Sequence, residues 1–216
     1  MNRTRTRGRR ADVGETIGLI VEGDAEYYAL PLLRRQRPDF APMDAINLGG
    51  IGGERSPVGI AELICPKVRQ LRRAGRRRVV VVLDREGRET CPPEFAAQIR
   101  TASMTELRRT GDEAVALTVV VADRAFEAWI LADAQGLFNS HVFRRRPNFT
   151  RFEGSLGRRD RLGKADIEYL LGREYSETRD GPILFSRIDL ARARNHGPGR
   201  SGSRSLHKLL TELEKT

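Results

Sequence analysis

Two unbroken apolar runs, rich in β-branched residues, constrain the fold most: Ile17-Gly18-Leu19-Ile20-Val21 and Val79-Val80-Val81-Val82-Leu83. A strand with one wet face alternates apolar and polar residues, whereas a strand buried on both faces reads as a continuous apolar run. Both runs therefore predict strands of a parallel sheet covered by helices on each side. Each ends abruptly in acid, the first in Glu22-Gly23-Asp24-Ala25-Glu26 and the second in Asp84-Arg85-Glu86. In a doubly wound sheet the C-terminal strand ends form the ligand crevice, so these acids are expected to converge there.

The rest of the chain repeats the alternation. A helix is expected over 25–35, with Tyr28, Leu32 and Leu33 as its apolar stripe and Pro38 ending it. A short strand at 45–48 leads into the glycine-rich run 49–53, which reads as a loop. Val58, Leu63, Ile64, Val68 and Leu71 stand at helical spacing and predict a helix that stops before Gly75. After the third strand, Pro92 and Pro93 open a helix over 94–109, and 114–122 forms a fourth strand. Residues 123–133 then read as a helix with one strongly apolar face. This βαβαβαβα order predicts a doubly wound, mostly parallel four-stranded sheet flanked by helices. Beyond Asn139 short helices are expected at 164–171, 183–194 and 205–214, with a mobile loop at 197–202. The resulting division is a flexible basic tail over 1–14, an α/β core over 15–138, and a helical C-terminal extension over 139–216 packed on the core.

Composition narrows the function classes. A chain of 216 residues with 39% hydrophobic residues can bury one full core. Its net charge of +10 favours polyanionic partners, yet Arg3, Arg5, Arg7, Arg9 and Arg10 place half of that excess in the tail. That tail reads equally as a phosphate-binding arm or as a solvated extension. Only 6% of residues are aromatic, which leaves little for a stacking platform on single-stranded nucleic acid. Arg9-Arg10 is followed by polar residues rather than an apolar stretch, and no run is long enough to span a membrane. Cys65 and Cys91 have no metal-ligand spacing, so zinc and a disulfide are both disfavoured. The expected setting is soluble and cytoplasmic, with both cysteines reduced and structural.

The acids carry the chemistry. Glu22 precedes a helix at a strand-to-helix turn, where Gly23 lets the backbone approach a ligand closely. Glu26 falls in the first helical turn, where an acid also complements the helix dipole. Asp84 and Glu86, two residues apart, point the same way if the strand geometry persists. Like charges on one side of a crevice repel unless a cation joins them, and Mg²⁺ accepts such carboxylates while keeping waters for phosphate oxygens to displace. Glu127, near Asp123, can add a further carboxylate from a helix on which Trp129 faces the core.

Lys164 is one of only four lysines and has two readings, a phosphate-stabilising amine and a helix-start lysine. The stretch from Gly157 to Lys164 imitates a nucleotide-binding loop, but its glycine spacing is one residue too long, and Ala165 replaces the hydroxyl residue that binds Mg²⁺. The glycine run at 49–53 can cradle phosphate or serve as a plain loop. His141, His196 and His207 look isolated. Tyr27, Tyr28, Tyr169 and Tyr175 all fall in expected helices.

A strand ending in Glu-Gly, with a later strand ending in Asp-x-Asp, resembles the TOPRIM fold of topoisomerases, bacterial primases, recombination proteins and the overcoming-lysogenization-defect nucleases. Glu26, four residues after Glu22, is similar to the nuclease branch. The layout from Ile17 onward, including Phe126-Glu127-Ala128-Trp129, also resembles an uncharacterised prokaryotic TOPRIM-like family linked to mobile elements and defence. The resemblance implies Glu22 as general acid/base or first metal ligand, and Asp84 and Glu86 as metal carboxylates. One departure is Glu86 in place of the second Asp, a longer acid that suits Mn²⁺ as well as Mg²⁺. The implied activity is metal-dependent phosphodiester cleavage, on DNA ahead of RNA. Its alternative is a silent binding subunit working with a separate ATPase. A second copy of the chain is a further expected partner, and a membrane is not.

Overall fold

The computed structural model describes residues 16–52, 55–150, 152–153 and 163–215. The basic tail, Gly53 of the glycine run, Gly157 and the charged stretch Arg158, Arg159, Asp160 and Arg161 lie outside them.

Four strands form one sheet: β1 (Ile17–Val21), β2 (Met43–Asn47), β3 (Arg78–Asp84) and β4 (Ala116–Ala122), in the order β2-β1-β3-β4. Every pairing is parallel, so the expected α/β architecture holds, with no antiparallel member among the described residues. On one face, α3 (Pro57–Arg73) and α4 (Pro92–Arg109) bury Ile60, Ile64, Val68, Phe95 and Ile99 against Val79, Val81, Val119 and Val121. On the other, the leading segment α1 (Asp24–Ala29), a 3₁₀ turn (Leu30–Leu32) and α2 (Leu33–Gln36) pack on Leu19, Val21, Val80 and Val82. Each fully buried aliphatic side chain contributes roughly 1.5–3 kcal/mol relative to exposure, which explains why these valine-rich strands form the centre. Gly18 lets α3 pack closely here, since a Cβ at that position would stand 2.9 Å from Leu71 Cδ1 and oblige that side chain to shift.

The second face is completed by the C-terminal elements: α5 (Glu127–Leu131), α6 (Ala134–Asn139), α7 (Lys164–Leu171), α8 (Asp180–Phe185), α9 (Leu190–Ala193) and α10 (Arg204–Leu213). They share one apolar cluster with the sheet, in which Leu206 and Leu209 meet Val120 and Ala122. No helix among the described residues is long and apolar enough to cross a membrane.

Several local expectations are corrected. The buried stripe of the first helical segment is Ala25, Ala29 and Leu33, while Tyr28 is 53% exposed. Val58 at the start of α3 is likewise 62% exposed, since the sheet lies under Ile60 and Ile64. Residues 123–133 do not form one amphipathic helix. Arg124 has a positive φ of 84°, incompatible with a right-handed helix, so α5 starts only at Glu127. Its residues are then buried all round, because α7 and α8 cover the side away from the sheet. The expected helix 183–194 is split into α8 and α9. Cys65 is buried and Cys91 exposed, both as free thiols, so only Cys65 fits a structural role. The His196 and His207 rings lie edge to face, 4.9 Å apart, and are not isolated.

Trp129, fully buried in α5, donates its indole N–H to Ser205 Oγ at 2.7 Å and so ties the start of α10 beneath the sheet. The same hydroxyl accepts the Asp123 backbone N–H at 3.3 Å. Ser205→Ala strands both donors and should lower unfolding stability by about 2 kcal/mol in urea titration. Tyr28→Ala, at an exposed position, should stay within about 0.5 kcal/mol of wild type.

Candidate metal centre

In the order β2-β1-β3-β4 the chain leaves β1 toward one edge and β3 toward the other, so the crevice opens between the C-terminal ends of these two strands. Glu22 directly follows β1 and Asp84 closes β3. Glu22 is buried, and its Oε2 accepts the backbone N–H of Asp84 at 3.0 Å. The Glu22 carboxylate thus fastens the two strand ends together.

Asp84 is turned into the crevice. Its carboxylate faces the backbone N–H of Phe126, yet Oδ1 is buried with no hydrogen-bond partner among the described residues. Gly23 is extended, so α1 begins at Asp24 and Glu26 stands in its first turn, 4% exposed. Glu26 is thus a helix-start acid that also lines the cavity described below. Glu127 opens α5 and is 2% exposed.

The extended geometry expected for Asp84 and Glu86 does not persist. Glu86 takes a positive φ of 52° in a turn, held by its N–H donating to the Arg124 carbonyl at 2.6 Å. That turn still returns its side chain to the crevice. Beside it, Arg88 donates to the carbonyls of Asp84, Arg85 and Gly52 and lies over the Phe95 ring.

These elements enclose a cavity of about 50 Å³ lined by Glu26, Asp84, Glu86, Glu127, Lys164 and Glu177. Five of the expected site residues meet there, and Glu22 stands behind them. Lys164 is the first residue of α7, and its amine pairs with Glu177 Oε1 at 2.7 Å. Gly163 makes this approach possible: its φ is 96°, and a Cβ would lie 2.9 Å from Glu127 Cβ.

Asp123 is elsewhere, paired with Arg85 at 2.8 Å. Residues 49–52 of the glycine run form a loop whose Gly49 and Gly50 N–H groups are already bonded to Asn47 and Glu22, which weakens the phosphate-cradle reading. Two members are new. Tyr175 lies between α7 and α8 rather than in a helix, and its hydroxyl donates to Glu127 Oε1 at 3.2 Å. Glu177 lies two residues beyond it. No spacing in the sequence links either one to the acids.

Burial raises the Glu22, Asp84 and Glu127 carboxyls above their ordinary range, and at Asp84 the charges of Glu26, Glu22 and Glu127 add to it. Glu26 is pushed up to about 7, first by burial and then by Glu127 and Glu22. For Lys164 burial pulls the amine down, but Glu177, Glu127 and Asp84 more than offset it. Among the described residues no three His, Cys, Asp or Glu side chains stand ready to ligate one ion. The donor chemistry nevertheless suits a hard divalent cation: all the acids offer oxygen, and the buried Asp84 Oδ1 has no hydrogen-bond partner among the described residues.

Compared with family models, with curated proteins and with solved structures, the chain matches none of them.

The raised Glu26 carboxyl has a defined sign. It contributes stability that is fully present below its ordinary value of 4.5 and is lost as pH rises through about 7. In EDTA the melting temperature should therefore fall between pH 5 and pH 8, and Glu26→Gln should flatten that fall. Scanning fluorimetry with added Mg²⁺ or Mn²⁺ should recover the loss at pH 8.

Proposed function

We propose that this protein is a Mg²⁺- or Mn²⁺-dependent phosphodiester-cleaving enzyme acting on DNA, in the cytoplasm, in prokaryotic defence or DNA processing. The observation that carries the reading is the group of acids around one small cavity at the switch point of the sheet, Glu26 and Glu127 buried and Asp84 Oδ1 buried with no hydrogen-bond partner among the described residues. The resemblance to TOPRIM nucleases adds the substrate class. The surplus of basic charge over the whole chain supports a polyanionic partner.

Asp84, Glu26, Glu127 and Glu86 are the residues that would hold the cation. When bound, such an ion polarises a phosphoryl oxygen and lowers the pKa of a coordinated water. Glu26, titrating near neutrality, is suited to take or return a proton at its carboxylate oxygen. Glu22 positions Asp84 through the backbone. Lys164 places a cation at the cavity rim, where it can balance charge on a phosphoryl group. A volume of about 50 Å³ admits an ion and water but not a phosphodiester, so substrate meets these groups at the mouth.

One observation favours a second reading, a silent DNA- or partner-binding subunit that works with a separate ATPase. The acids line a common cavity without a ready three-ligand geometry. Incubation with plasmid, single-stranded DNA and RNA, each with Mg²⁺ or Mn²⁺, separates the two. Cleavage should need the metal, and Asp84→Asn should reduce it by at least about 100-fold, the order lost when one electrostatic contact to a transition state is removed. Equal behaviour of wild type and Asp84→Asn would leave the silent subunit as the better reading.

A further inference from the structure

The edge of the sheet carries a second concavity, separate from the carboxylates. β4 is an edge strand among the described residues, and a cavity of about 820 Å³ runs along it. Residues Leu117 to Val121 form its floor. One wall is Ala96, Ala97 and Arg100 of α4, and the other is Arg204 and Lys208 of α10. These helices lie on opposite faces of the sheet, so the groove is an open strand edge between two walls.

The direction of the β4 peptide groups follows from their neighbours. Ala116 N–H donates to the Arg77 carbonyl, and the Ala122 carbonyl accepts from Arg85 N–H, so the even-numbered residues face β3. A parallel strand alternates, and the odd-numbered peptide groups therefore face the groove. Both ends of that row are capped: the Leu117 carbonyl accepts Arg100 Nε at 3.1 Å, and Asp123 N–H donates to Ser205 Oγ at 3.3 Å. Between the caps, Val119 and Val121 bring N–H and carbonyl groups to the groove without a partner among the described residues. A row of unpaired edge groups of this kind is a template for pairing with another strand.

The walls decide what fits. α4 and α10 stand on both sides of the edge, leaving space for one extended segment but obstructing a second sheet with helices of its own. Charge decides its chemistry. The acids of the lining are engaged: Asp123 pairs with Arg85, Glu153 accepts from Ser203 and Ser205, and Glu212 pairs with Lys208 and Lys215. Arg100 and Arg204 remain exposed, one on each wall. We propose that the groove receives an acidic, extended segment of a partner protein as a fifth strand. Val119 and Val121 supply the main-chain hydrogen bonds, the small side chains of Ala96 and Ala97 leave room for alternate apolar residues, and Arg100 and Arg204 select acids. The inference does not depend on the metal centre.

The test is a phage-displayed library of random seven-residue segments selected on the wild-type protein and counter-selected on Ala97→Trp, which fills the groove from an exposed position. The expected winners alternate β-branched residues with Asp or Glu. They should bind Ala97→Trp and the Arg100→Ala/Arg204→Ala double variant at least 10-fold more weakly, and slow amide exchange at Val119 and Val121. If Ala97→Trp does not fold, Ala97→Glu gives the same loss by repelling acids. Enrichment of no sequence or of basic ones, or unchanged exchange at the two valines, overturns the proposal. So does self-association abolished by Ala97→Trp, which would assign the groove to a second copy. Peptide binding that emerges only after deletion of residues 1–15 would assign it to the chain's own N-terminal segment, and also overturns it.

Discussion

A single buried hydrogen bond, from the Asp84 backbone N–H to the Glu22 carboxylate, joins the two central strands where their connections diverge to opposite faces. A parallel sheet leaves its strand tips with peptide groups that no ladder satisfies. At this tip a side chain supplies the missing acceptor. The direction of Asp84 follows from that bond, and with it the approach of the Phe126 amide and the placing of α5, whose first residue is Glu127.

The cost of this arrangement is electrostatic. Burial and mutual repulsion both favour the neutral form of the acids, so each raises the affinity of the others for protons. The C-terminal elements offset part of this cost: Lys164 brings a positive charge, and Tyr175 donates to Glu127. A divalent cation would offset more, because it replaces carboxylate repulsion with attraction. The crevice is therefore shared between the sheet and the later helices, and neither forms it alone.

Much of this was legible in the sequence where burial dictates residue type. β1 and β3 could be read because burial on both faces removes alternation, and their terminal acids could be read because a charge rarely ends such a run without purpose. The breaks are different. Arg124 adopts its left-handed conformation with its carbonyl bound to Glu86 N–H, a tertiary contact that no local pattern encodes. Tyr28 and Val58 misled because helical spacing marks a stripe without saying which of two adjacent lines meets the sheet. Tyr175 and Glu177 reach the site from a loop, so neither strand nor helix periodicity could mark them.

The chain holds one tryptophan, and the fold places it two residues from Glu127, fully buried and bonded to the start of α10. The molecule therefore carries its own optical probe at the joint between crevice and C-terminal helix. Its emission reports an apolar, hydrogen-bonded indole while that joint is closed, and shifts to longer wavelength if α10 loosens. Docking of the last helix can thus be followed in an unlabelled sample.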